Sequence, residues 1–355
     1  MSRPFKPLRI GIMGGGQLGR MLAIAAAYRG VETHIFTPEA GAPASQVSAR
    51  TTVAPYDDEA ALRAFAQDVD IITFEFENVP HQSLELLASI TAVHPSPKVL
   101  ETCRNRLREK DTINSCNIAT APYAAIRSLA DLEQAIARIG TPAVLKTSEM
   151  GYDGKGQVKI QHPQEAQAAW EALHTSEAIL EGWVAFEREI SVIVARNAQG
   201  EIRCYEPAHN IHENHILARS IVPADIDQSI TDNACTIART LAENLNLVGI
   251  MAVELFLQAD GTLIVNELAP RPHNSGHWTI EAAATSQFEQ QIRAICNQPL
   301  GDTRTLCGAE MINLIGDDVF DLSQYTDNPH AHIHLYGKSE ARQGRKMGHV
   351  TIIKD

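Results

Sequence analysis

A chain of 355 residues with a net charge of −13, 44% hydrophobic and 21% charged residues has the composition of a soluble protein of two or three domains, and its acidity argues against nucleic acid as a main partner. The apolar runs fall far short of a membrane span, and the segment 1–7 lacks the apolar core of a signal peptide. Cysteines at 103, 116, 204, 235, 296 and 307 show no CxxC spacing and read as reduced thiols of a cytosolic protein.

Residues 8–95 alternate strand and helix: a strand at 8–13, a glycine turn, a helix over 17–28, then strands at 33–37, 69–74 and 92–94. This order predicts a parallel sheet. Gly14-Gly15-Gly16-Gln17-Leu18-Gly19 fits a dinucleotide fingerprint between strand and helix. The acidic residue expected at the end of the second strand is missing, with Phe36-Thr37-Pro38 in its place. An anion site at the helix N-terminus therefore ranks above a nicotinamide site. Glycines used only for a tight turn are the plainer alternative. Downstream, Thr73-Phe74-Glu75-Phe76-Glu77-Asn78-Val79-Pro80 closes a parallel strand. Glu75 and Asn78 would meet a polar substrate in the crevice there, or one of them would cap the next helix.

The pattern changes near residue 97. A single charged helix is predicted over 97–116, mostly solvated, with Arg106 and Lys110 sharing a face at i and i+4. A buried strand at 143–146 ends in Lys146 and leads into Met150-Gly151-Tyr152-Asp153-Gly154-Lys155-Gly156-Gln157. Three glycines between two strands suit a flap over phosphates, with lysine as point charge, or a plain hairpin tip. The strand at 178–184, through Glu181, Gly182, Trp183 and Val184, offers backbone groups beside apolar side chains for an adenine. Residues 187–194 alternate with period two, which puts Glu187 and Glu189 within reach of a ribose or on a solvent face. His209, His212 and His215 have no zinc-site spacing and suit polar contact with a nucleotide or substrate.

Residues 253–267 read as two apolar strands joined at Asp260-Gly261. If those two form the turn, Ala259 pairs with Thr262, and counting outward sets Glu254 opposite Glu267. Facing carboxylates sit about 5 Å apart and repel, which predicts a divalent cation between them. Glu254, Glu267 and the Asn266 amide suit magnesium, which keeps positions for substrate phosphates. A solvated hairpin with two unrelated glutamates is the alternative. The loop that follows, 268–278, carries Arg271, His273, Asn274 and His277. Arginine beside a metal would grip carboxylate or phosphate and stabilise charge during phosphoryl transfer. Strands at 309–315 and 332–336 precede the basic turn Arg342-Gln343-Gly344-Arg345-Lys346-Met347-Gly348-His349, which fits a phosphate or a solvated tip.

These residues together resemble the ATP-grasp superfamily, and within it the family of N5-carboxyaminoimidazole ribonucleotide synthases. The resemblance rests on 14–20, 73–79, 150–157, Asn266-Glu267-Leu268-Ala269-Pro270-Arg271 with His273-Asn274-Ser275-Gly276-His277-Trp278, and 344–349. It implies a Rossmann-like parallel-sheet domain over 1–97, an ATP-grasp domain over 98–300, and a small β-rich domain over 301–355. It implies carboxylation of 5-aminoimidazole ribonucleotide by ATP and bicarbonate in purine biosynthesis, by way of carboxyphosphate or the carbon dioxide it releases, in a cytoplasmic homodimer. Arg106, Lys146 and the residues Gly151, Tyr152, Asp153, Gly154, Lys155, Gly156 and Gln157 would then hold ATP phosphates. Glu181, Gly182, Trp183 and Val184 would hold adenine, Glu189 the ribose, and His212 another part of the nucleotide. Glu254 and Glu267, with Asn266 adjacent, would hold Mg2+. Arg271, His273 and Asn274 would serve bicarbonate and carboxyphosphate. Gln17, Glu75, Asn78, Tyr152 and Asp153 would meet the aminoimidazole or its ribose, and Arg342, Arg345 and Lys346 its phosphate. The family usually continues past the equivalent of His349, so an abbreviated C-terminal domain is expected. The rival readings are a formate-dependent glycinamide ribonucleotide transformylase, a nicotinamide-dependent oxidoreductase, and a nucleotide-binding module without turnover.

Overall fold

The computed structural model describes residues 7–149 and 156–354. Its first unit holds β1 (Arg9–Met13), α1 (Gln17–Tyr28), β2 (Glu32–Thr37), β3 (Arg50–Val53), α2 (Glu59–Asp68), β4 (Ile71–Phe74), α3 (His81–Ala88) and β5 (Ala92–Val93). The five strands pair in parallel in the order β3-β2-β1-β4-β5, as the alternation of strand and helix predicts. Ile10, Ile12, Ile35 and Phe36 are buried on this sheet.

The charged stretch 97–116 is two helices, α4 (Pro97–Arg104) and α5 (Arg106–Ser115), where the sequence suggests one. Asn105 breaks it. Its side chain accepts from the N–H groups of Leu107 and Arg108 at 3.2 and 3.1 Å, a local bond that competes with helix continuation and caps α5. The expectation of solvated charges also fails at Glu109 and Lys110, each only 1% exposed. A four-stranded antiparallel sheet follows, built from β6 (Tyr123–Ile126), β7 (Ala143–Thr147), β8 (Gln157–Ile160) and β9 (Ala178–Gly182), with α6 (Leu129–Ile139) and α7 (Ala166–Leu173) packed on it.

The third sheet has nine strands. β10 (Arg188–Arg196), β11 (Ile202–Cys204), β12 (Ala208–Glu213), β13 (Ile216–Val222), β14 (Gly249–Leu257) and β15 (Leu263–Ala269) are joined by α8 (Gln228–Asn244) between β13 and β14. After α9 (Thr279–Ala282) and α10 (Gln287–Ile295), the chain adds β16 (Gly308–Ile315), α11 (Ser323–Thr326), β17 (Ala331–Leu335) and β18 (Lys346–Lys354). β16 pairs with β13, so the C-terminal strands extend the central sheet. β10 is buried from Ile190 to Ala195 with Arg188 and Glu189 half-buried at its start, so of the two readings of its alternation Glu189 does not lie on an open solvent face. Ile190, Val192 and Val194 pack with Val253 and Leu255 against α8; of the alternate residues, Glu189 and Ser191 lie on the face that carries Glu254, while Ile193 and Ala195 pack in a second core with Tyr205 and Trp278.

All six cysteines are free thiols, and among the described residues no helix is long and apolar enough to cross a membrane.

Candidate active site

The Asp260-Gly261 hairpin sets Glu254 opposite Glu267, but by a different route from the simple count. Gln258 and Thr262 close a three-residue loop, Ala259-Asp260-Gly261: Gln258 N–H donates to Thr262 O at 3.0 Å and Gly261 N–H to Gln258 O at 2.9 Å. Gly261 takes φ +84°, as a three-residue hairpin requires of its last loop residue. This shifts the pairing by one residue, so Leu257 faces Leu263 and Leu255 faces Val265. A bulge at Asn266 then shifts it back. The two offsets cancel, and the carboxylates meet on the face of the sheet that also carries Glu189, Ser191 and His212.

Burial raises the Glu254 carboxyl, and the neighbouring charge of Glu267 raises it further. Burial also pushes Glu267 up, but Arg106, Lys146 and Arg271 outweigh it and hold that carboxyl low. Arg106 Nη1 lies 3.3 Å from Glu267. Such an opposed pair fits a divalent cation, whose charge would relieve the repulsion. Among the described residues no three His, Cys, Asp or Glu side chains converge as a metal site. The two carboxylates could hold such a cation, and a donor set of two carboxylates would suit magnesium with phosphate and water oxygens completing it.

Arg106 and Lys110 share a face of α5, as their spacing requires, and point into a buried charge network. Lys110 and Lys146 both pair with Glu181, at 3.2 and 2.6 Å. Burial alone would raise the Glu181 carboxyl, yet these lysines hold it at about 2. Lys110 also donates to the Asn266 carbonyl at 3.4 Å, bracing the bulge. The N–H groups of Gly182 and Trp183 donate to the carbonyls of Pro122 and Pro142, and Trp183 is half exposed with Lys159 Nζ 3.8 Å above its ring. Val184 follows, half-buried. Glu189 pairs with His212 Nδ1 at 2.9 Å. Of the glycine flap, Gly151, Tyr152, Asp153, Gly154 and Lys155 lie outside the described residues. Gln157 pairs with Lys146 across β7 and β8, and the Gly156 carbonyl accepts the Thr147 N–H at 2.9 Å.

Glu109 sits behind this network and accepts the Leu268 N–H at 2.6 Å. Burial is the main cause that raises its carboxyl to about 8, against the pull of Lys110. Its folded pKa thus exceeds its unfolded value, so its stabilising contribution is complete below about pH 4.3 and is lost as the pH rises through about 8. Glu109→Gln should leave stability near pH 4 almost unchanged and raise it at pH 8 by about 1–3 kcal/mol. Urea unfolding at the two pH values checks this. Equal stability of both proteins at pH 8 would refute it.

The loop after β15 brings Arg271 and His273 to the carboxylate pair. Arg271 Nη2 lies 2.8 Å from Glu77, and its buried Nε has no protein partner. His273 Nδ1 accepts the Ser275 N–H at 3.3 Å and lies 2.8 Å from Ser275 Oγ, which itself accepts from Ser191. That leaves the ring hydrogen on Nε2, which points to Glu254 at 3.2 Å. Burial, then the charge of Arg271, keeps His273 well below the ordinary histidine range, so it is a neutral donor. Asn274 turns away: its amide forms a reciprocal pair with Asn313, at 2.9 and 2.7 Å, tying the loop to β16.

At the first glycine turn the anion is the protein's own. Glu75 accepts the N–H groups of Gly16 and, at 2.9 Å, Gly19, at the N-terminus of α1. A Cβ at Gly14 would come within 2.3 Å of the Glu75 side chain, so the glycines make room for this carboxylate. The place of a dinucleotide pyrophosphate is filled, which removes the physical basis of the nicotinamide reading. Gln17 opens α1, half-buried beside it. Asn78 is exposed, whereas Glu77, two residues beyond Glu75 on the same parity, meets Arg271. That parity was the signal that could have singled Glu77 out.

The basic turn divides. Arg342 is 68% exposed and pairs with Glu340, and Arg345 donates to the Glu340 carbonyl at 3.0 Å. Lys346 opens β18 and its charge reaches Glu254 and His273. His349 lies inside β18, fully buried, with Nδ1 2.9 Å from the Tyr336 hydroxyl. Lys338, which has no motif to mark it, donates to the Lys346 carbonyl at 2.5 Å and faces Glu75 electrostatically. Burial lowers its pKa to about 8.

Known proteins match the chain along nearly its whole length. Residues 8–104 match the ribonucleotide synthetase preATP-grasp domain, 111–288 the ATP-grasp domain, and 309–355 the phosphoribosylaminoimidazole carboxylase C-terminal domain. The chain is 49% identical to the N5-carboxyaminoimidazole ribonucleotide synthase of Brucella melitensis, over 97% of this chain and 96% of that one. It is similar to the crystal structure of an N5-carboxyaminoimidazole ribonucleotide synthetase in its ADP complex, with a TM-score of 0.95, 44% identity, and 100% and 95% of the two chains covered. The enzyme of Aspergillus clavatus in complex with ADP and 5-aminoimidazole ribonucleotide matches with a TM-score of 0.91 at 30% identity, over 98% and 94% of the chains.

Proposed function

The chain belongs to the N5-carboxyaminoimidazole ribonucleotide synthase family of ATP-grasp ligases, and on that premise we propose how its own residues divide the work of carboxylating 5-aminoimidazole ribonucleotide with ATP in purine biosynthesis. Bicarbonate is the one-carbon donor in this reading. The observation that carries it is the opposed pair Glu254 and Glu267, with phosphate-binding cations on one side and Arg271 with His273 on the other.

Lys146 and Arg106, with the 151–157 loop, bind the ATP phosphates. Residues 181–184 take adenine, and Glu189 with His212 takes the ribose end. Glu254 and Glu267 would hold magnesium, with Asn266 adjacent at the bulge; the ion would supply charge neutralisation on the transferring phosphoryl group. A bicarbonate oxygen attacks the γ-phosphorus, giving ADP and carboxyphosphate, with Arg271 holding the carboxylate end in two-point contact. The exocyclic amine then attacks the carboxyl carbon, phosphate leaves, and the nitrogen gives up a proton. His273, neutral and with Nε2 3.2 Å from Glu254, flanks that carboxylate. Asn274 is better cast as a strut for the loop than as a catalytic group, because its amide is spent on Asn313. Gln17 and Glu75 face the aminoimidazole nucleotide, and Lys346 with Lys338 takes its phosphate. Arg342 and Arg345 contribute only if that nucleotide draws them off Glu340, and Asn78 only at the rim. The six free thiols support a cytoplasmic setting, and the family resemblance supports a homodimer.

ADP release is expected only when ATP, magnesium, bicarbonate and 5-aminoimidazole ribonucleotide are all present. Turnover with formate and glycinamide ribonucleotide instead would overturn the assignment.

A further inference from the structure

Helix α10 carries three fully buried glutamines, and each spends its amide on a different segment. Gln287 accepts the His273 N–H at 2.9 Å, donates to the His273 carbonyl at 2.7 Å, and lies 3.1 Å from His277 Nδ1. It thus mimics a strand partner for His273, closing both of its backbone groups. The fit leaves no slack, since a Cβ at Gly276 would come within 2.8 Å of Gln287 Oε1. Gln291 accepts the Ile250 N–H at 2.6 Å, at the start of the strand that carries Glu254, and donates to Thr73 Oγ1 at 3.0 Å, just before Glu75 and Glu77. The Gln290 side-chain amide bonds both backbone groups of Gly301.

We propose that Gln287 is a positioning residue for the carboxylation half of the site: it sets the height of the 271–277 loop, and so of Arg271 and His273, above the Glu254–Glu267 pair. Gln291 one turn later ties the same helix to β14 and β4, so α10 registers the two halves against each other. The role rests on the functional reading given above. A buried amide with all its bonds made is costly to replace, because truncation leaves the His273 N–H without a partner and its carbonyl with the Gly276 N–H alone, at 3.0 Å. The loop would then settle in several positions, and misplacement of reacting groups by about 1 Å costs on the order of 10²-fold.

The test compares Gln287→Leu, Gln287→Glu and Gln290→Leu in the full chain. Gln287→Leu should lower the rate of carboxylated product at least tenfold, leave the KM for ATP within twofold, and raise the ratio of ADP formed to product formed. Gln287→Glu keeps the acceptor for His273 N–H and should recover part of that coupling. Gln290→Leu should lose thermal stability to a similar degree with the coupling ratio intact. If both leucine variants change the ratio alike, or if Gln287→Leu weakens ATP equally, the positioning role is overturned. A wild-type protein without aminoimidazole-dependent ADP release would retire the functional reading itself, whatever the variants do.

Discussion

Glu267→Gln is expected to lower magnesium-dependent turnover by about 10³-fold or more while the protein stays folded. The amide keeps the size of the carboxylate and one acceptor for Arg106, so packing survives. What it loses is the charge that a magnesium ion needs beside Glu254. The companion variant Glu254→Gln should lose turnover equally but behave differently without metal. Removing Glu254 relieves repulsion in a buried pair whose other member is already neutralised by Arg106, Lys146 and Arg271, so the metal-free protein should melt at a higher temperature. Glu267→Gln removes the neutralised member and should not raise it. Because the Glu254 carboxyl is raised, protons compete with the cation, and magnesium affinity should weaken as the pH falls. Steady-state ADP release, magnesium titration by calorimetry and melting curves check the set. Turnover near the wild-type rate in Glu267→Gln would sink the metal assignment.

Arg271→Lys is expected to cost about 10²–10³-fold in kcat with ATP binding retained. The substitution keeps the positive charge, so a site that needed only charge would tolerate it. A site that grips carboxylate with a planar fork would not, since lysine offers one compact ammonium. Glu77 holds one nitrogen of Arg271 at 2.8 Å and so orients the guanidinium before substrate arrives. Retention of more than about a third of the activity would show that orientation is unimportant. Nucleotide binding measured separately distinguishes a lost fork from a collapsed loop.

The hairpin shows how far linear reasoning reaches. An Asp-Gly turn between apolar strands predicts two carboxylates face to face, and they are, yet a three-residue loop and a bulge each shift the register and cancel. Period-two counting cannot see a bulge, because the bulge is stabilised by Lys110 reaching the Asn266 carbonyl from another helix. The β10 glutamate was legible as a polar position, but its face was not: alternation separates two sides of a strand without saying which side is solvent and which is a cleft. Glu75 was recognised as polar at a strand end, and the glycine turn as an anion site. Only the fold reveals that each answers the other.

By itself the sequence determined the grammar of the parallel sheet, the helix start at Gln17, the shared face of Arg106 and Lys110, and the carboxylate pair, because each follows from a local period or a turn. The tertiary structure alone decided the burial of Glu109, the pairing of Arg271 with Glu77, the retreat of Asn274 onto Asn313 and of Arg342 onto Glu340, and the hold of α10 on the 271–277 loop. These depend on contacts between residues far apart in the chain. Their energies come from burial and charge at a distance, which no spacing along the sequence encodes.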